Sequence, residues 1–284
     1  MRLTDGILYG LFALLLIISG CGDDSQEAQQ ADYEEALFFS YATTKSGEYM
    51  NDIAINDMIG VVTVLQLMVT QYYMDKGNLP TSINLSDPDI IDYVPPGMTG
   101  TLSTDGTSKV TAHLTLEACF LDANKTKEYT GTFNADGVFS IEAGGFTLLN
   151  INAPSLTIAY TGKSYAKAVY SSLTIGIDNT TDSYTLTGSI IVDDKGYSYA
   201  SLLYKQTSSM ALTVSGTFTI SGMEFEISGS PTLDPAGVWT SGTVTLTNAD
   251  ATATVALNGT TASFTLDDGT EWEKDDWYLD RLVP

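Results

Sequence analysis

Alternation of apolar and polar residues dominates the second half of the chain. Apolar residues occupy every second position over 212–220 and again over 223–227, with glycine at one position and threonine, serine or glutamate between them. A period of two predicts two strands, each with one apolar and one polar face. A two-residue turn at 221–222 pairs Phe218 with Phe225, which brings both apolar faces to the same side of a sheet.

A second hairpin signal follows nearer the C-terminus. The dipeptide Asn258-Gly259 is typical of tight hairpin turns, and it is predicted to pair Val255 with Ala262. A four-residue loop at 248–251 joins this hairpin to the preceding strand. Three consecutive strands therefore share one apolar face, as in an up-and-down meander.

A short repeat suggests that the sheet is curved. Triplets of serine or threonine around glycine recur at Gly131, Gly188, Gly216 and Gly242, and each glycine falls on the apolar face in mid-strand. Glycine at such a position lets a sheet bend or another element approach closely. We expect the sheet to coil around a packed element, although such triplets are also common by chance in threonine-rich β proteins.

The segment before the strands favours a helix. Residues 33–76 permit a helix, and residues 58–74 carry no charge and have apolar side chains almost all the way round a helical projection. Lys76-Gly77 and Pro80 supply the signals that end a helix. We expect one helix, buried on several sides, inside the curved sheet. A membrane span is the competing interpretation, but the stretch is short and interrupted by polar residues.

Residues 72–82, with Tyr72-Tyr73, Gly77 and Pro80, resemble the segment of type IV pilins and pseudopilins in which the long helix leads into a loop. The resemblance implies a helix lying on an antiparallel β-meander. The sequence has no prepilin cleavage site, so the resemblance does not imply a filament.

An apolar run at 7–18 is too short to span a bilayer and is typical of a signal peptide. The last residue of this run opens the sequence Ile18-Ser19-Gly20-Cys21, which resembles the lipobox of bacterial lipoproteins. The resemblance implies cleavage before Cys21 and lipid on that cysteine, which would anchor the mature chain to a membrane. The alternatives are an ordinary signal peptide or a short membrane anchor.

These patterns divide the chain into four parts: a signal peptide at 1–20, a flexible tether at 21–32, a helical segment and loop at 33–96, and a β-meander at 97–284. The last two are expected to pack as one unit. The predicted fold class is mainly β, a curved antiparallel up-and-down meander, open-barrel or sandwich-like, with one N-terminal helix packed on it.

Composition limits the partners, disulfides and metal sites that the chain can have. With 35 acidic and 12 basic residues the net charge is −23, which disfavours nucleic acid as a partner. A lipidated Cys21 would leave Cys119 as the only other cysteine, so no disulfide within the chain is expected. His113 is the only histidine, which excludes zinc sites built on two or three histidines, and we expect no metal or other cofactor.

Neither His113 nor Cys119 has the catalytic partner that it needs. Alternation over 109–120 places His113 and Cys119 on one polar face, roughly 20 Å apart, too far for a nucleophile and its base. The acidic segments 134–137, 193–196 and 267–269 are interpreted as hairpin turns, because they lack the ligand spacing of calcium loops. We therefore expect a protein that is not an enzyme.

An aromatic cluster near the C-terminus contains Trp272, Trp277 and Tyr278 among acidic residues. Such rings can stack on a sugar or close the end of a core, and both interpretations remain open. These three residues are the candidate ligand-binding residues.

The predicted function is that of a cell-envelope lipoprotein with a non-enzymatic structural or binding role. A carrier or chaperone for a lipid or other apolar ligand, held between helix and sheet, is the first alternative. An adhesin or glycan-binding module is the second. Gly22 rather than aspartate follows Cys21 directly, which by resemblance to bacterial lipoproteins favours the outer over the inner membrane.

Overall fold

The computed structural model describes residues 23–42, 55–79, 81–88, 90–162, 166–208, 210–220, 222–234 and 238–278. Within these residues the helices are α1 (Asp23–Ala42) and α2 (Ile55–Lys76), and a short 3₁₀ helix spans Ile91–Tyr93. The strands are β1 (Ser82–Asn84), β2 (Met98–Thr104), β3 (Lys109–Phe120), β4 (Lys127–Ser140), β5 (Gly145–Tyr160), β6 (Lys167–Asp178), β7 (Ser183–Val192), β8 (Lys195–Ser208), β9 (Ala211–Ile220), β10 (Met223–Gly229), β11 (Thr232–Leu233), β12 (Trp239–Thr247), β13 (Thr252–Asn258), β14 (Thr261–Leu266) and β15 (Glu271–Asp275).

All of these strands belong to one antiparallel sheet. Each strand pairs with the next along the chain from β1 to β10 and from β12 to β15, and β10 pairs with β12. The two-residue β11 pairs with β12 and β9 beside this path. The fold is therefore a mainly β, up-and-down meander with a helix near the N-terminus packed against it, which confirms the predicted fold class.

The hairpin register agrees with the sequence analysis in one case and differs in the other. Phe218 pairs with Phe225 across the β9–β10 turn, as predicted. Val255, however, pairs with Phe264 and not with Ala262. The turn residues are Gly259 and the residue after it, and Gly259 has a φ of 61°. A shift of two residues leaves each apolar side chain on the same face, so the meander is unchanged.

The repeated glycines mark close approaches between strands. Gly131, Gly188, Gly216 and Gly242 have φ between 105° and 139°. A Cβ atom at any of them would collide with the backbone of a neighbouring stretch of chain. The pairing register of β4–β5 also shifts within three residues of Gly131, and that of β7–β8 shifts between Leu186 and Gly188. The prediction that these glycines permit a close approach is confirmed, and the approaching element is backbone of the sheet.

Helix α1 fills the apolar face of the later strands. Its residues from Ala36 to Tyr41 are all buried. The ring of Phe39 stacks on that of Tyr197 with centroids 4.5 Å apart, and Tyr41 meets the ring of Trp239 edge-on at 5.6 Å. Because every side of this short segment contacts protein, α1 is the element that the sheet encloses.

Helix α2 lies on the earlier strands and is buried on one side only. Met58, Val61 and Leu65 are buried, whereas the side chains of Ile59 and Leu67 are 44% and 62% exposed. The prediction that this helix is buried on several sides is wrong. Apolar side chains surround α2 almost completely, but the sheet contacts only one side of it. The position enclosed by the sheet is occupied by α1.

The predicted division of the N-terminal region also needs correction. One helix was expected within 33–76, but two helices occur, with 43–54 outside the described residues. The flexible tether predicted for 21–32 is helical from Asp23 onward, while residues 21 and 22 are not described. Alanine, glutamine and glutamate favour helix, acidic residues suit a helix N-terminus, and the buried second half of α1 holds the first half in register.

A buried carboxylate fastens α2 to three neighbouring strands. Asp57, in the first turn of α2, is fully buried. The hydroxyls of Tyr160 and Tyr170 donate short hydrogen bonds to its Oδ2, and Lys127 Nζ lies 3.3 Å from Oδ1. Tyr129 donates to the backbone oxygen of Asp57 at 3.1 Å. These partners come from β4, β5 and β6, so one side chain fixes the start of α2 on the sheet.

We expect the substitution Asp57→Ala to lower the free energy of unfolding by about 3–5 kcal/mol. It removes the carboxylate beside the largely buried ammonium of Lys127 and an acceptor of two buried tyrosines. Urea unfolding followed by tryptophan fluorescence measures the change. Glu142→Ala, which removes an exposed carboxylate, is the control; equal stability of the two variants would contradict this role for Asp57.

We expect Gly216→Ala to destabilise the protein by about 3 kcal/mol, from backbone strain and steric overlap together. Its φ is 132°, and the added Cβ would overlap the carbonyl oxygen of Ser201. Gly196→Ala is the matched control, because no atom lies within 4 Å of the Cβ it adds. Thermal unfolding of both variants tests this, and a tolerated alanine at 216 would show that the close approach is dispensable.

Candidate functional site

A groove crosses the outer, polar face of β3, β4, β5 and β6. The strand register brings side chains from these four strands into two rows, one of His113, Asn134, Asn152 and Thr174 and one of Thr111, Asp136 and Asn150. These side chains line an open groove of about 160 Å³. The groove therefore gathers one imidazole, three amides, one carboxylate and two hydroxyls on a rigid sheet.

Hydrogen bonds between neighbouring strands hold the groove side chains in place. His113 Nδ1 lies 2.9 Å from Asn134 Oδ1, and Asn152 Nδ2 donates to Thr174 Oγ1 at 3.3 Å. Thr111 Oγ1 donates to Asp136 Oδ1 at 3.2 Å. Each bond joins neighbouring strands within one row, so adjacent side chains of a row hold one another in place.

This groove is not among the sites predicted from the sequence. Residues 134–137, a predicted acidic turn, lie within β4, and the turn follows at 141–144. That prediction is wrong because Asp-Gly suits a hairpin turn and outweighed the alternation around it. Every second residue from Phe133 to Phe139 is buried, including Gly137. This period of two was the signal that could have identified the strand.

The structure separates His113 from Cys119 more completely than the sequence predicted. The pairing of β3 with β4 shifts between Leu116 and Cys119, and Ala118 adopts a φ of 50°. This irregularity turns Cys119 into the core, whereas His113 stays exposed on the outer face. Burial raises the pKa of the Cys119 thiol to about 11, so it is protonated near neutral pH. The predicted common face is wrong, but the two groups still form no nucleophile–base pair.

The C-terminal aromatic cluster packs mainly inward. Trp277 is only 2% exposed, and its ring meets that of Tyr41 at 5.1 Å. Trp272 stacks on Phe264 with centroids 4.7 Å apart, and Tyr278 meets Trp277 edge-on. The packing therefore favours the core-closing interpretation of these rings, and ligand binding by Trp272 or Tyr278 stays a prediction.

A larger, acidic cleft of about 640 Å³ lies at the ends of two hairpins. Its lining residues are Gly222, Met223, Glu224, Glu226, Thr247, Asn248, Ala249 and Asp250. Asn248 Oδ1 accepts bonds from the backbone N–H groups of Asp250 and Ala251 and from the hydroxyl of Tyr33. The Asn248 side chain thus stabilises its own loop and also binds Tyr33 of α1.

Two other acidic segments form turns, as predicted. Asp193, with a φ of 50°, lies in the β7–β8 turn and accepts hydrogen bonds from the backbone of Ala166 and Lys167. Asp268 accepts from the backbone N–H of Thr270, which lowers the pKa of its carboxyl. No group of three or more candidate ligands positioned to hold a metal ion occurs among the described residues.

No helix in the described ranges combines the length and apolarity needed to cross a membrane. Cys21 and the segment before it lie outside those ranges. Comparison of the chain with models of known families, with curated proteins and with solved structures finds no match. Function is therefore inferred from the site geometry, the fold and the N-terminal sequence.

Proposed function

We propose that this chain is a lipid-anchored, non-enzymatic binding protein of the cell envelope. Cys21 would carry the lipid, and the outer face of β3–β6 would present the binding surface. The observation that carries the proposal is the groove, in which polar side chains from four strands are held in two fixed rows. A rigid polar surface of this kind suits recognition of a ligand from outside.

Binding is favoured over catalysis by the positions of the reactive groups. Cys119 is buried as a protonated thiol, and Asp57 is enclosed by Lys127 and two tyrosines. His113 bonds to an amide, and no nucleophile hydrogen-bonds to it within the described part of the chain. A base without a nucleophile or an acidic partner supports recognition better than group transfer.

The anchor is supported by the lipobox-like sequence at 18–21. The helix begins at Asp23, two residues after Cys21, so an anchored domain would lie near the membrane instead of on a long flexible tether. The outer membrane is the proposed destination, since Gly22 follows the cysteine. A strongly negative surface, with a net charge of −23, would favour an orientation that keeps anionic headgroups away from the acidic loops.

The carrier alternative has weaker support. Phe38, Phe39 and Tyr41 of α1 occupy the apolar face of the sheet and are at most 1% exposed. A lipid bound there would have to displace these rings, together with the hydrogen bond from the Tyr204 hydroxyl to the Ser40 carbonyl oxygen. The apolar face thus already has an occupant.

The substitution Cys21→Ser tests the anchor. In bacterial cells labelled with radioactive palmitate, the native protein should carry label and sediment with membranes, and the Cys21→Ser variant should lose the label. Cys119→Ser is the matched control, because that thiol lies in the core and should not affect lipidation. An unlabelled native protein, or full labelling of the Cys21→Ser variant, would refute the lipid-anchor proposal.

A further inference from the structure

We infer that the groove on β3–β6 binds a neutral polyhydroxylated ligand, specifically one sugar ring of a glycan. The inference rests on the proposed function for its biological setting, and it names the class of ligand that the surface recognises. It is carried by the unused hydrogen-bonding groups, the charge balance and the shape of the groove.

The side chains that border the groove carry donors and acceptors. Because an amide oxygen only accepts, His113 donates to Asn134 from Nδ1, and its Nε2 has no partner among the described residues. Asn152 donates through Nδ2, which leaves its Oδ1 as an acceptor. The side-chain amide of Asn150 has no hydrogen bond within the described ranges, so it offers both a donor and an acceptor. A hydroxyl can both donate and accept, and a ring carrying several hydroxyls matches such a mixed set.

Charge disfavours ionic ligands at the same place. Asp136 is the only carboxylate that lines the groove, and Lys109 Nζ lies 3.5 Å from its Oδ1. The groove is therefore close to neutral, although the chain as a whole carries a net charge of −23. An anion would meet the carboxylate and a cation would meet the ammonium, whereas a neutral ligand meets neither penalty.

Irregularities in the sheet shape the groove. The β4–β5 register shifts between Thr132 and Asn134, and the β6–β7 register shifts between Ser171 and Thr174. Such shifts re-aim side chains and often occur next to binding sites. Beside the groove, Gly176 pairs with Asn150, and a Cβ at Gly176 would lie 2.5 Å from Thr185 Oγ1 and 3.6 Å from Asn150 Oδ1. The absence of a side chain at Gly176 leaves room for the Thr185 hydroxyl beside Asn150.

An apolar shelf continues the groove along the same two strands. Val138 and Leu148 form a cross-strand pair on the outer face, two residues from Asp136 and Asn150, and are 36% and 42% exposed. The C–H face of a sugar ring can pack on such a shelf while its hydroxyls reach the amides. The volume of about 160 Å³ is smaller than the roughly 300–1,000 Å³ of drug-sized ligand pockets, so one ring fits better than an extended ligand.

Saturation-transfer NMR on the full-length protein in a sugar-free detergent tests this assignment. The probes are D-glucose, D-galactose, D-mannose and N-acetyl-D-glucosamine, with sodium acetate and choline chloride as ionic comparisons. At least one sugar should receive saturation. The Asn152→Ala variant should bind it at least about fivefold more weakly, as expected for the loss of one hydrogen bond. Asn124→Ala, which removes an exposed amide in the β3–β4 turn, is the matched control and should bind normally.

Absence of transfer to every sugar, equal affinity of the Asn152→Ala variant, or stronger transfer to acetate or choline would overturn the assignment. Both variants replace exposed side chains, and their thermal unfolding confirms that they are folded. Chemical conversion of a bound sugar in the same sample would contradict the non-enzymatic proposed function but leave the binding site standing. An unlabelled native protein in the palmitate experiment would refute the lipid anchor but would not affect the assignment of the sugar-binding groove.

Discussion

The fold depends on how the apolar face of the sheet is kept from water. A meander exposes one apolar face along its whole length and must bury it against another layer. Here α1 places Phe38, Phe39 and Tyr41 against the later strands, while α2 covers the earlier ones. The two helices are held differently: α1 mainly by aromatic packing, and α2 additionally by the buried contacts of Asp57. Removing either helix would expose the part of the sheet's apolar face that it covers.

The sheet could be predicted well from the sequence, because the residues that determine each hairpin lie close together in the chain. Alternation and turn residues define each hairpin within about twenty residues, as for Phe218 and Phe225. The wrong helix was predicted to be enclosed, because the burial of α1 depends on contacts that are distant in sequence. The continuous buried stretch of α1 is only six residues long, from Ala36 to Tyr41, and its burial arises from strands more than 150 residues away. A longer apolar helix with exposed Leu67 gave the stronger local signal.

The groove was beyond sequence analysis for a related reason. Its rows join residues from four strands, and Thr111 lies more than sixty residues from Thr174. Register shifts decide which side chains meet, and a single irregularity at Ala118 was enough to move Cys119 from the predicted outer face into the core. Strand alternation gives the face of each residue only until the first such irregularity. The polar character of the outer face was predictable, whereas the grouping of its side chains was not.

Hydrogen exchange measured by mass spectrometry tests the enclosure of α1 most directly. Amides at the buried end of α1, from Ala36 to Tyr41, should exchange as slowly as those of the central strands β5 and β6, because all of them open only with the core. Exchange of these helix amides as fast as that of the exposed turn at 141–144, while β5 and β6 remain protected, would contradict the account.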